Sequence, residues 1–246
     1  MIAVGAIAEV RLGRWETVLA DVECDSVIVD PPYGARTHAG ALGEEDGRTQ
    51  IDYAHWTHRE VEAFVDSWCP RTRRWVVALT SHDLVPHWLS SFEANNFYSF
   101  APIGIVIQGL GVRLQGDGPA SWTLHLCVGR RRARSLSTDP SAKGIWRSLP
   151  GAYVGPVAVG MAAGRGKPAW LCEALVRDYS DPGMVVCDPC AGWGSMLVAA
   201  RKLGREAIGA EMDVEAHGIA ARRLCGDEAR PSPAQPSIFD LARGVG

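Results

Sequence analysis

The 246-residue chain has no apolar run approaching the ~20 residues that a membrane span requires. Its opening, MIAVGAIAEV, carries no basic stretch ahead of the apolar residues, so no secretory leader is expected. A second cysteine pair is also lacking. Cys187 and Cys190 have CxxC spacing, but Cys24, Cys69, Cys127, Cys172 and Cys225 are scattered, so no zinc or other metal site is expected. Seven is an odd number of cysteines, and most sit in apolar runs. That usage fits small buried hydrophobes in a reducing, cytoplasmic compartment. There is no internal repeat and no large excess of either charge. Lys+Arg is 25 and Asp+Glu is 28, a net charge of −3, with 47% hydrophobic and 22% charged residues. Disordered, collagen-like and coiled-coil chains are thereby excluded, and a single domain over 1–246 is expected.

The small net charge conceals an uneven distribution. Residues 128–168 carry +7, which leaves −10 on the remainder. A solvated basic loop is one reading; a local, salt-sensitive contact with a polyanion is the other. Arg130, Arg131, Arg132, Arg134 and Lys143 in this stretch, with Arg36 in a second loop, are the candidate nucleic-acid contacts.

Runs rich in Val and Ile, bounded by Gly, Pro or Asp, predict strands at 25–30, 75–80, 103–108, 122–128, 184–188 and 206–211. Helices are predicted between them. Thr57 and Glu60 form a capping box ahead of 61–68, and 169–179, 195–203 and 214–224 also read as helical. The alternation predicts an α/β fold with a mainly parallel sheet and helices on both faces. Segments 35–50 and 130–166 read as long loops, and the Pro-rich tail after 226 as frayed.

Three segments carry chemistry. The first is Asp30-Pro31-Pro32-Tyr33, directly after the apolar run SVIV. Proline fixes φ and has no N–H to donate, so two in succession stiffen the exit from the strand. The Asp30 carboxylate, the Pro31 carbonyl and the Tyr33 ring can then converge on a planar, amino-bearing ring; a plain turn is the alternative. The second is MVVCDPCAGWGS at 184–195, a strand ending at Asp188 and a loop containing Gly192 and Gly194. Such a loop admits close backbone approach of a cofactor at the carboxyl end of a strand. It is not the GxGxxG of nicotinamide enzymes, because Leu197 occupies the third position. The third is GREAIGAE at 204–211, which puts Glu211 at a strand end about 20 residues after the glycine loop, where an acid suits ribose hydroxyls. His82-Asp83 reads as loop or cap, His125 as a core histidine, and Trp193 as a residue able to cover the cofactor pocket.

These segments resemble a family: the permuted, β-group amino-methyltransferases that act on DNA with S-adenosylmethionine. There the DPPY motif comes first, the cofactor loop lies near the C-terminus, and the segment between them carries target recognition. Residues 25–34 (DSVIVDPPYG), 166–195 (GKPAWLCEALVRDYSDPGMVVCDPCAGWGS) and 204–224 (GREAIGAEMDVEAHGIAARRL) match in that order. The resemblance implies a Rossmann-like methyltransferase fold with circularly permuted motif order. It implies that Asp30 and the Pro31 carbonyl, on the loop stiffened by Pro32, accept hydrogen bonds from the target amino group, and that Tyr33 stacks on the extruded base. It places Asp188, Pro189, Cys190, Gly192, Gly194 and Ser195 beside the methionine part of the cofactor, with Lys167 and Pro168 near it. Glu211 then holds the ribose and Met212 lies against the adenine. The sequence departs from the family in having Cys190 where Phe is usual, Gly13-Arg14 where Gly-Asp is common, and a short recognition segment.

The expected activity is methylation of the exocyclic amine of a flipped DNA base, adenine N6 in preference. Alternatives are cytosine N4, an RNA base, or a non-catalytic nucleic-acid-binding module. The partner is DNA, and a homodimer is compatible with the family.

Overall fold

The computed structural model describes residues 7–35, 54–108, 123–132, 148–157 and 166–226. Their strands form one nine-stranded sheet. In chain order these are β1 (Ala8–Leu12), β2 (Cys24–Val29), β3 (Thr72–Thr80), β4 (Phe97–Ser99), β5 (Ile103–Gln108), β6 (Thr123–Arg131), β7 (Ala152–Pro156), β8 (Val185–Asp188) and β9 (Glu206–Glu211). The spatial order is β1-β9-β8-β2-β3-β6-β5-β7, with β4 pairing on β6. Neighbours from β1 through β3 are all parallel, as are β5 and β7, while β6 runs antiparallel to β3, β4 and β5.

Helices cover both faces. On one side lie α1 (Trp15–Val18), α2 (His58–Trp68) and α3 (Val85–Ala94); on the other lie α4 (Ala169–Tyr179), α5 (Ser195–Lys202) and α6 (Val214–Cys225). The central strand β2 shows why both faces need cover. Ile28 packs into one apolar cluster while Val27 and Val29 point into the other, and all three are fully buried. A strand buried on both faces reads as a continuous apolar run instead of an alternating one. Its buried Ser26 hydroxyl is satisfied by donating to the Tyr179 carbonyl at 2.6 Å.

The predicted capping box is present. Thr57 accepts from the Arg59 N–H, and Glu60 accepts from the Thr57 N–H at 2.8 Å, a device worth roughly 1 kcal/mol. Helix α3 goes beyond the sequence expectation. Val85, Trp88, Leu89 and Phe92 have helical spacing and face the core, and Pro86 is tolerated in the first turn, where its missing N–H has no partner to lose.

Three strands also depart from the sequence reading. Edge strand β1 has charges at two of its five residues, Glu9 and Arg11, and β4 is only three residues long. Strand β7 lies inside the segment read as a loop, and β6 extends into its start. The AYVGP stretch alternates exposed and buried, and Trp170 lies against Gly155 while donating to the Pro156 carbonyl at 2.7 Å. The segment 36–53, and the tail from 227, lie outside the described residues.

Candidate active site

Parallel pairing puts the carboxyl ends of β2, β3, β8 and β9 on one edge of the sheet. Strands β2 and β8 are direct neighbours, with Val27 opposite Cys187. The Asp30–Tyr33 loop and the glycine loop, more than 150 residues apart in the chain, therefore emerge side by side.

The loop after β2 is held at both ends. The Tyr33 hydroxyl donates to Asp30 Oδ1 at 2.8 Å. Lys167 forms an ion pair with Asp30 Oδ2, and its Nζ lies 5.2 Å from the centre of the Tyr33 ring. At the other end, the Gly34 N–H donates to Ser81 Oγ at 2.9 Å, and the Trp56 N–H donates to the Tyr33 carbonyl. Gly34 is required by space: a Cβ there would lie 2.2 Å from Asp83 Oδ2. Among the described residues, the buried Asp83 Oδ1 atom has no hydrogen-bond partner.

The glycine loop is fastened to β9. Gly192 has φ +52° and its N–H donates to Glu211 Oε2 at 2.7 Å, while Ala191 N–H donates to the Ala210 carbonyl. Gly194, at φ +74°, opens α5, where a Cβ would stand 3.0 Å from that of Ala220. Both glycines hold left-handed backbone that other residues adopt at a cost. The other Glu211 oxygen accepts from the Asp213 N–H at 2.8 Å, so two backbone donors aim this carboxylate. Arg223 donates to the Trp193 carbonyl and to Ser195 Oγ, bracing the loop from α6. Met212 is exposed beside Glu211.

Three carboxylates, those of Asp30, Asp188 and Glu211, end adjacent strands. Burial pushes the Asp188 carboxyl up to about 8; the Cys190 N–H works against this, and the charges of Asp30 and Glu211 add to it. Burial also raises the Cys190 thiol, with Asp188 and Glu211 adding to the effect, so it stays a thiol and not a nucleophilic thiolate. Burial, and then the Asp30 carboxylate, hold the Tyr33 phenol above its ordinary range, which keeps it a donor. For Lys167, burial disfavours the ammonium, but Asp30 and Tyr33 outweigh burial and keep it charged.

The edge thus brings together Asp30, Pro31, Pro32, Tyr33, Lys167, Pro168, Asp188, Pro189, Cys190, Gly192, Gly194, Ser195, Glu211 and Met212. It does not bring Arg130, Arg131 and Arg132 there. Strand β6 is antiparallel to β3, with Thr80 opposite His125 and Trp75 opposite Arg130, so these arginines lie at the far edge. Arg130 lies over the rings of Trp75, Tyr98 and Phe100; Arg131 donates to the Thr72 carbonyl; Arg132 pairs with Glu93. Arg36, Arg134 and Lys143 lie outside the described residues. His125, expected in the core, is instead half-buried on the site edge, where burial and then the neighbouring His82 charge depress its basicity. Sequence reasoning missed the ties made by Ser81, Asp83 and Arg223. A glycine directly after DPPY was the one available sign of a close contact.

Among the described residues, no helix is long and apolar enough to cross a membrane, and no cluster of His, Cys, Asp and Glu could hold a metal ion.

Comparison with known proteins agrees with this arrangement. Residues 165–222 match the family described as DNA methylase. The chain superimposes on the M1.HpyAVI–SAM complex with a TM-score of 0.62 at 16% identity, covering 88% of this chain and 100% of that one. It is similar to the PvuII DNA methyltransferase (cytosine-N4-specific), with a TM-score of 0.60 at 12% identity, covering 89% and 87%. A 58-residue stretch is 38% identical to YubD of Escherichia coli (strain K12), which carries a methylase description. That stretch is 24% of this chain and 26% of that protein, so the match spans about a quarter of the relative's length. The chain therefore has the Rossmann-like fold of DNA methyltransferases, a mixed sheet with helices on both faces, and its residues 165–222 carry the segment by which the DNA methylase family is recognised.

Proposed function

We propose that the protein transfers a methyl group from S-adenosylmethionine to the exocyclic amine of a base in DNA, adenine N6 in preference. The observation that carries this reading is the emergence of the Asp30–Tyr33 loop and the Gly192–Glu211 pair from neighbouring strand ends on one edge. The residues fit the cofactor. Gly192 and Gly194 leave room for it, and Glu211 is an aimed acceptor for ribose hydroxyls. When bound, the cofactor supplies a methyl group made electrophilic by a sulfonium.

The chain's own residues then address the nucleophile. An exocyclic amine is weak because its lone pair is conjugated with the ring. Acceptors at Asp30 and the Pro31 carbonyl turn its hydrogens aside and leave the lone pair directed at the methyl carbon. As the N–C bond forms, the amine loses a proton, and Asp30 is the acceptor placed to pass it to solvent. Orientation and preorganised acceptors of this kind supply several kcal/mol. The base must leave the duplex to reach Asp30, at a cost of a few kcal/mol. Stacking on an aromatic such as Tyr33 offsets part of that cost. Contact with the DNA backbone falls to the basic segment, through Arg134 and Lys143, and to Arg36.

The motif beginning with Asp favours adenine by resemblance, whereas the PvuII relative is specific for cytosine N4. Mass spectrometry of nucleosides, after incubating DNA and RNA with the protein and labelled S-adenosylmethionine, separates these outcomes. N6-methyladenine in DNA is expected; label in N4-methylcytosine or only in RNA replaces the substrate. No label in any nucleic acid refutes the reading.

A further inference from the structure

We propose that Lys167 is a positioning residue for the target amine's acceptor: it acts through Asp30 and not as a holder of the cofactor. The inference rests on the methyl-transfer reading and relocates a residue that the family resemblance assigns to the cofactor side.

Lys167 is one of only three lysines in a chain with 25 basic residues, and its placement follows from local sequence. A residue before proline is pushed toward extended backbone, and Pro168 is the N-cap of α4, at φ −56° and ψ 138°. The Lys167 side chain therefore leaves the chain just ahead of a rigid helix start and reaches β2, 137 residues away, where its ammonium pairs with Asp30 Oδ2. The same ammonium lies over the Tyr33 ring, whose hydroxyl holds Asp30 Oδ1. Both Asp30 oxygens are thus fixed in direction, from two sides, by side chains on two separate elements. Each carboxylate oxygen has two acceptor sites, so neither contact excludes the amine.

Other charges near Asp30 make this clamp necessary. In strand order β9-β8-β2 the Asp188 carboxyl stands between Glu211 and Asp30, and the charges of both act on it. Asp188 keeps its proton up to about pH 8, so it is repulsion from Glu211 that drives the short, flexible Asp30 carboxylate aside. Lys167 opposes that displacement through its ion pair with Asp30. An ammonium also suits the place: as a compact charge it can touch a carboxylate and still lie against a ring face. What the structure does not give Lys167 is any hydrogen bond to Asp188, Gly192 or Glu211, the groups that would surround the cofactor's methionine end.

The two roles separate in kinetics. If Lys167 positions Asp30, Lys167→Met lowers kcat about 10- to 100-fold, the loss of one charge-assisted hydrogen bond. Affinity for S-adenosylhomocysteine, measured by calorimetry, stays within about threefold, and Lys167→Arg recovers most of kcat. Retained binding also certifies that the variant is folded. If Lys167→Met fails to fold, Lys167→Gln, which keeps a donor without the charge, is expected to show the same split. A variant that loses S-adenosylhomocysteine affinity while keeping kcat at saturation overturns the proposal and returns Lys167 to the cofactor. That outcome leaves the methyl-transfer reading intact, whereas a wild-type protein that labels no nucleic acid removes the reading itself.

Discussion

The two edges of the sheet are built on opposite terms. At the amino ends of the parallel strands, several arginines are spent on carbonyls and rings of the fold. Buried Arg205 donates to the Ser180 and Leu203 carbonyls and to Ser180 Oγ. Arg71 donates to the Leu19 and Ser67 carbonyls and lies 4.1 Å from the Trp68 ring centre. Arg130 and Arg131 serve the same edge. At the carboxyl ends, acidic groups accumulate: Asp188 is pushed up to about 8 by burial, and Asp83 has a buried oxygen with no partner among the described residues. The arginines of the first edge are engaged within the fold, whereas the second gathers acidic groups around the Lys167 ammonium, and perturbed groups of this kind mark a candidate ligand site.

The comparison is broken most sharply at Asp30. Asp30→Ala should lower methyl transfer by about a thousandfold or more, as loss of the acceptor at the reacting centre does. S-adenosylhomocysteine binding by calorimetry should survive, because the cofactor loop is fastened to β9 and not to β2. Unchanged turnover in this variant removes Asp30 from the chemistry.

A smaller effect is expected at Gly34. Adding a methyl group there drives it into the Asp83 carboxylate. Overpacking of this kind costs about 1–3 kcal/mol, so Gly34→Ala should lower kcat roughly tenfold. Asp83→Ala in the same chain should restore it by clearing the space, and failure of that pair to recover would show that the loop is not seated on Asp83.

The smallest effect is a slope with pH. The folded protein holds the Asp188 proton up to about pH 8, whereas an unfolded chain loses it near pH ~4. Between those values the native state binds more protons, so stability falls as pH rises and levels off above about 8. Urea unfolding of wild type and Asp188→Asn at several pH values isolates the contribution. The wild type should lose stability relative to the variant across this window, and parallel curves would place Asp188 in a solvated setting.

The same contrast explains what was legible in the sequence. β5, β9 and α4 begin and end where the sequence predicts, because each is an apolar pattern cut off by Gly, Pro or Asp. Strand β7 was hidden because its five residues include Gly155 and Pro156, and only pairing with β5 and the cover of Trp170 make it a strand. At the site, Asp30, Tyr33, Asp188, Gly192 and Glu211 were legible because strand-end acids and glycine turns are local signals. The Lys167–Asp30 pair and the Gly34–Asp83 contact were not, since both join segments distant in the chain. A charge count could not tell which arginines the fold consumes: Arg130, Arg131 and Arg132 belong to a basic cluster in sequence, yet their side chains serve the edge away from the site.

The most direct test is a crystal structure of the protein with S-adenosylhomocysteine. The sulfur should lie in the cleft between Gly192 and Asp30, on the side of Tyr33, with the ribose against Glu211. A ligand bound at the arginine-lined edge, or with its sulfur screened from Asp30 by the sheet, would contradict a single methyl-transfer site built from these two strand ends.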